Sequence, residues 1–253
     1  MDQQQFKIQG GSLEKSLKGE TQLDLKTIAT EAWSLSRNTK TAVLHGVLLL
    51  FFIAIVFAWG LSKLGFSDVN TIPPNMMLTL KLAGIILSTP IIATMFLLGI
   101  SHSVGIKPKF STILKNLIGS VLLILLALLL AALADVSSLL GSQISVVLGV
   151  AVLFYVNLAT GFAIMLLVEK KLAPSQCVLQ SMQVFHKYWL PISIYYILYY
   201  LCLFLGMFSL GFAYIWIIPF FINMKGILYR ELFGVKVRIV KVQSNPDETV
   251  FHA

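Results

Sequence analysis

The chain has 253 residues, of which 57% are apolar and only 12% charged, with a mean hydropathy of +0.86 and a formal charge of +8. Soluble domains hold about 45–50% apolar and about 25% charged residues, so the composition excludes an ordinary soluble protein and predicts an integral membrane protein. The cations sit beside apolar segments and form no continuous basic surface, which argues against nucleic acid as a partner.

Residues 1–23 carry Gly10-Gly11, mixed charge and few bulky apolar side chains, and read as a mobile cytoplasmic tail. About forty polar and mixed residues precede the first apolar run, so no cleavable signal peptide is expected. Over 24–40, Leu25, Ile28, Ala29, Ala32 and Leu35 recur at helical spacing opposite Lys26, Glu31 and Arg37, with Thr21 or Asp24 as the cap. Just ahead of a span, such a helix should lie flat in the interface.

Six apolar runs follow, at about 41–61, 77–100, 117–134, 144–168, 189–208 and 212–229. At about 1.5 Å per residue each is of the length needed for a hydrocarbon core of roughly 30 Å. Pro73-Pro74 bounds the second run, while Pro90 and Pro219 predict breaks inside the second and sixth. A cation-free loop at 135–143 joins the third to the fourth, and a tight turn at 209–211 joins the fifth to the sixth. The basic tail, 233–253, alternates from Val235 to Val242, which fits either a short strand or a segment lying on anionic lipid.

In this six-span reading all of the 19 lysines and arginines except Lys63 and Lys81 fall on one side. Cytoplasmic loops carry the excess of such cations, so both termini are expected in the cytoplasm. The polar island from Glu169 to Pro191 has Pro174 suited to a first helical turn and a stripe of Val178, Met182, Phe185 and Trp189 opposite Gln176, Gln180, Gln183 and Lys187. Phe110, Ile113, Leu114 and Leu117 with Lys115 repeat that device. Span starts near 41, 117 and 189 are spaced by about 75 residues. The expected fold is all-α: a polytopic membrane bundle of six transmembrane helices as three hairpins, each introduced by a cytoplasmic interfacial helix.

The run Gln180-Ser181-Met182, then Phe185, Lys187, Tyr188 and Trp189 before a span, together with Tyr229-Arg230-Glu231-Leu232 after the last span, resembles a bacterial pattern. It is similar to poorly characterised six-helix inner-membrane families related to the membrane domain of glycerophosphoryl diester phosphodiesterases. The resemblance covers about residues 25–235 and implies a six-helix domain of the bacterial inner membrane without established activity. The phosphodiesterase catalytic domain has no counterpart here, and none of its active-site residues carries over.

His45, His102 and His186 lie near the cytoplasmic interface with Glu31 and Glu169, but no pair has ligand spacing within one helix, so neither metal nor cofactor is expected. Cys177 and Cys202 read as free, inert thiols. Lys63, Lys81, Asp135 and Glu169 sit near span ends, leaving no mid-membrane ionisable group and disfavouring ion-coupled transport. Asn157 and Asn223 are the intramembrane polar residues, suited to hydrogen bonds between helices. Lys107, Lys109, Lys170, Lys171 and Lys187 are the expected contacts to lipid headgroups. Tyr195, Tyr196, Tyr199, Tyr200, Phe204, Tyr214 and Trp216 form a dense aromatic wall whose hydroxyls and indole prefer polar partners. It reads as core packing or as a groove for lipid or a membrane-protein partner. With no nucleophile and base in evident pairing, the expected function is non-enzymatic binding of lipid or a membrane partner. The alternative is a transporter of a small amphipathic molecule built around Pro90, Pro219, Asn157 and Asn223.

Overall fold

The computed structural model describes residues 5–66, 68, 71–241 and 249–252. In chain order they form β1 (Gln5–Gln9), α1 (Leu13–Lys18), α2 (Leu25–Lys63), α3 (Pro74–Ser103), α4 (Phe110–Leu117), α5 (Val121–Ser142) and α6 (Val146–Ala159). There follow α7 (Ala163–Lys170), α8 (Pro174–Lys187), α9 (Trp189–Met207), α10 (Tyr214–Phe233), β2 (Val235–Lys241) and β3 (Thr249–His252). Among the described residues, five stretches are long and apolar enough to cross a membrane: α2, α3, α5, the pair α6–α7 and α9. The protein is a helical, multi-pass membrane protein.

The helix α10 is not among those five, and its position explains why. It packs chiefly on α2 and α3 and less on its neighbour in sequence, α9. Phe221, Asn223, Met224, Lys225, Gly226, Ile227, Leu228, Tyr229, Leu232 and Phe233 are all buried. A helix surrounded by protein can carry polar groups that a lipid-facing helix cannot. At Gly226 the backbones of α10 and α3 come close: a Cβ there would lie 2.1 Å from the Gly99 carbonyl oxygen. Gly226 lies against Gly99 and Arg230 donates to the Ser103 carbonyl, so α3 and α10 run alongside each other there. At 19 and 20 residues, α9 and α10 are shorter than α2 and α3, at 39 and 30.

Several expectations need correction. The segment 24–40 is no separate interfacial helix but the first part of α2, a continuous helix of 39 residues capped by Asp24, which accepts from the Lys26 amide. At about 58 Å it is nearly twice the hydrocarbon thickness. Its buried stripe, Ile28, Ala32, Ser36, Thr39, Val43 and Gly46, passes Lys40 without a change of phase because its partner is protein throughout. The supposed loop at 135–143 is largely helical, since α5 runs to Ser142, and Asp135 on it pairs with Lys81 of α3.

The N-terminal segment, expected as a mobile tail, forms β1 and α1 instead. Ser12 caps α1, Ser16 is fully buried and donates to the Leu232 carbonyl at 2.6 Å, and the Thr21 amide donates to the Tyr188 hydroxyl. Of the two readings of the C-terminal alternation, the strand holds. β1, β2 and β3 form an antiparallel sheet in that order, with Gln5 opposite Ile239 and Arg238 opposite His252.

Candidate functional site

The fourth apolar run is one span in sequence but two helices in the structure. Between α6 and α7 the backbone breaks at 160–162, and the island helix α8 supplies the missing partners. Ser181 is fully buried; its hydroxyl donates to the Ala159 carbonyl at 2.8 Å and accepts from the Phe162 amide at 3.1 Å. Backbone groups freed by a break at membrane depth must be satisfied this way. The docking requirement also turns α8: Cys177, Ser181, Val184 and Phe185 face inward, while Val178 and Met182 are only half-buried and Trp189 is exposed. The predicted stripe was thus rotated by about one residue. Burial pushes the Cys177 thiol up to about 11, which makes it a weak nucleophile.

Beside the break lies a cleft of about 280 Å³. Ile92 and Phe96 of α3 form one wall, Asn157, Thr160, Gly161 and Ile164 the broken edge, Tyr195, Tyr196, Tyr199 and Tyr200 of α9 the opposite wall, and Phe221, Ile222 and Lys225 of α10 the floor. Gly161 leaves room for the Tyr196 side chain, since a Cβ there would stand 2.1 Å from the Tyr196 hydroxyl and displace it. The tyrosines brace one another: Tyr195 and Tyr196 meet edge to face at 4.9 Å, and Tyr199 contacts Phe221 at 5.1 Å. Tyr195 donates to the Phe221 carbonyl at 3.0 Å. The hydroxyls of Tyr196, Tyr199 and Tyr200 make no hydrogen bond among the described residues.

Lys225 is the residue that sequence reasoning missed, having counted it only among the cations of the cytoplasmic side. It is 6% exposed, and its ammonium lies 4.0 Å from the Phe96 ring centroid, 5.6 Å from that of Tyr196 and 5.9 Å from that of Phe162. No carboxylate or hydrogen-bond acceptor partners it among the described residues. The signal was available: residue 225 lies inside the sixth apolar run, five residues before Arg230.

The other expected site residues separate. Phe204 is exposed beyond the cleft against Phe208, Tyr214 donates to the Leu203 carbonyl near the hairpin turn, and Trp216 lies on the far side of α10 beneath the Lys40 ammonium. Asn157 is exposed at the cleft edge and donates to the Leu153 carbonyl of its own helix, so it joins no second helix. Asn223 does so, fully buried: its carbonyl accepts from His102 Nδ1 at 2.8 Å and its amide donates to the Ser36 and Thr39 hydroxyls. Three helices, α2, α3 and α10, are tied by that one side chain. Lys107, Lys109, Lys171 and Lys187 are exposed, whereas Lys170 is half-buried and donates to the Phe233 carbonyl.

The histidines have separate duties. His45 donates from Nδ1 to the Thr41 carbonyl, and His186 donates from Nδ1 to the Met182 carbonyl while accepting from the Tyr155 hydroxyl at Nε2. No group of three metal-ligating side chains assembles among the described residues. No protein-family model, curated protein or solved structure matches the chain.

Proposed function

We propose that this is a non-enzymatic protein of the bacterial inner membrane that holds a membrane lipid or similar amphiphile in the cleft at the α6–α7 break. The observation that carries the reading is the wall of Tyr196, Tyr199 and Tyr200, aromatic faces with three hydroxyls that make no hydrogen bond among the described residues. Apolar walls with a few convergent polar groups are the usual make-up of a small-molecule site. The exposed apolar side chains Phe154, Ile197 and Leu201 on the helices flanking the cleft favour entry from the hydrocarbon. Kinship with the families related to the phosphodiesterase membrane domain is part of the same proposal. Tyr229, Arg230 and Glu231 bond through their side chains at one end of the bundle, and the Leu232 carbonyl accepts from Ser16.

The membrane arrangement we infer is three hairpins, α2–α3, α5 with α6–α7, and α9–α10, with both termini cytoplasmic by the distribution of cations. The exposed lysines 107, 109, 171 and 187 then form a collar on anionic headgroups. The third hairpin is the short one, and its turn carries Phe208, Leu210 and Phe212 at 72% exposure or more without a charge. It is placed to end within the bilayer. A Leu210→Cys variant is therefore expected to resist a membrane-impermeant maleimide that labels Ser62→Cys, at the end of α2; equal labelling would mean a full crossing.

The function is tested by placing benzophenone at Tyr199 in cells and identifying what it captures by mass spectrometry. A phospholipid adduct enriched over the bulk lipid composition is expected. A discrete protein adduct would favour a partner helix, and exclusively intramolecular links would reduce the wall to core packing. The transporter reading has one observation in its favour, the broken helix beside a cavity, an arrangement that carriers use. Substrate-dependent flux in proteoliposomes would support it.

A further inference from the structure

We propose that the ligand of the cleft is an anionic amphiphile whose phosphate or carboxylate oxygens pair with the Lys225 ammonium. This rests on the reading of the cleft as a lipid site and adds the charge of the occupant.

Buried ammonium groups are paired, because the charge loses its hydration and must recover it from neighbours. Lys225 recovers only part, from the faces of Phe96 and Tyr196. Four carboxylates of the helices are already committed. Glu31 and Glu231 hold Arg230, Glu169 accepts from the Tyr229 hydroxyl, and Asp135 holds Lys81. None of them lines the cleft. With no carboxylate among the described residues lining the cleft, the counter-charge we assign to Lys225 is the ligand's own.

The rest of the cleft defines what carries that charge. The hydroxyls of Tyr196, Tyr199 and Tyr200 are donors for further anionic oxygens, and the ring faces suit methylene groups. A volume of about 280 Å³ is at the low end of the usual range of roughly 300–1,000 Å³ for ligand pockets, so it takes a headgroup and the start of a chain. The remainder of the chain would run along the exposed apolar face of α9, where Ile197 and Leu201 lie.

The test uses the full-length protein purified in neutral detergent, with native mass spectrometry and thermal unfolding as readouts. The probes are phosphatidylglycerol, oleate, phosphatidylcholine and inorganic phosphate, each against wild type, Lys225→Met and Lys225→Arg. Wild type is expected to retain phosphatidylglycerol or oleate at least tenfold more tightly than phosphatidylcholine, and whichever of the two is retained identifies a phosphate or a carboxylate headgroup. Lys225→Met should lose that preference and Lys225→Arg keep it. Without ligand, Lys225→Met should melt no lower than wild type, since it removes an unpaired buried charge and keeps the bulk.

Equal retention of phosphatidylglycerol and phosphatidylcholine by wild type would overturn the anionic assignment while leaving a lipid cleft. So would a preference that survives Lys225→Met. Binding of inorganic phosphate as tight as that of either amphiphile would overturn the amphiphile assignment. Retention of no lipid of any kind would sink the cleft reading itself.

Discussion

Gly226→Val is expected to leave little folded protein. The added Cβ would stand 2.1 Å from the oxygen and 2.2 Å from the carbon of the Gly99 carbonyl, and 2.7 Å from the Ile100 amide nitrogen. These are backbone atoms within a helix and cannot swing aside, so α3 and α10 would have to separate by more than 1 Å. That movement also stretches the His102–Asn223 hydrogen bond, 2.8 Å long and fully buried, and strands its polar groups. Overpacking alone costs about 1–3 kcal/mol, and a buried unsatisfied group about 1–3 more. Against a total stability of about 5–15 kcal/mol for a typical domain, the sum is a large share. Gly84→Ala is the control, because nothing lies within 4 Å of a Cβ at that position in α3. Replacing a helical glycine there should be neutral or stabilising by up to about 1 kcal/mol. Yield of monodisperse protein and the apparent melting temperature in detergent decide it. Equal melting of Gly226→Val and Gly84→Ala would show that the helices do not meet at this point.

The second large effect is expected from Arg230→Met. The Arg230 guanidinium grips both oxygens of Glu31, at 2.6 and 2.9 Å, binds Glu231 at 2.7 Å and donates to the Ser103 carbonyl. One side chain thereby joins the start of α2, the end of α3 and the end of α10. Its own carbonyl accepts from the Gly11 amide, which pins the N-terminal segment to the same place. Breaking a fully buried ion pair costs about 3–5 kcal/mol because the remaining charge is stranded. The Glu31 side chain is 34% exposed, so solvent screens part of that charge and about 2–3 kcal/mol is the better expectation. Arg230→Lys should recover less than half, since an ammonium cannot reproduce the two-pronged contact. If the pair is what matters, Glu31→Gln combined with Arg230→Met should cost less than the two changes summed. Additive losses in thermal unfolding would mean that the two side chains act separately.

The parts of the fold that were legible in the sequence are those that hydropathy governs. Long apolar runs locate the helices long enough to cross a membrane but miss several of their ends, as at the start of α2 and the end of α5, and Pro174 and the alternation from Val235 locate the start of α8 and the strand β2. Local reasoning failed where a small polar group serves a distant backbone. Ser16 reaches Leu232 and Ser181 reaches the Ala159–Phe162 break, and neither contact leaves a periodic trace in its own neighbourhood. The same limit hid the continuity of α2. Lys40 and Arg37 looked like the end of an interfacial helix only because α10, the partner that covers Ser36 and Thr39, is nearly two hundred residues away.

The site was half legible. Four consecutive-turn tyrosines on α9 announced an aromatic surface, and all four line the cleft. Phe204, Tyr214 and Trp216 shared the composition but not the face, since Trp216 points to Lys40 across a different helix pair. Asn223 and Asn157 looked alike in sequence, yet only Asn223 meets other helices, a distinction set by which side of the helix is enclosed. Lys225 was overlooked because a cation near the end of an apolar run ordinarily reaches the interface. Here Phe96, Phe162 and Tyr196 surround it before it can.

The most direct measurement is a structure of the full-length protein determined in nanodiscs of native lipid. Density for an elongated molecule should enter the cleft from the hydrocarbon, with its polar end within about 3–4 Å of Lys225 Nζ and its chain against Tyr196, Tyr199 and Tyr200. An empty cleft closed by side chains, with Lys225 paired to a carboxylate of the chain itself, would contradict both the lipid site and its anionic occupant.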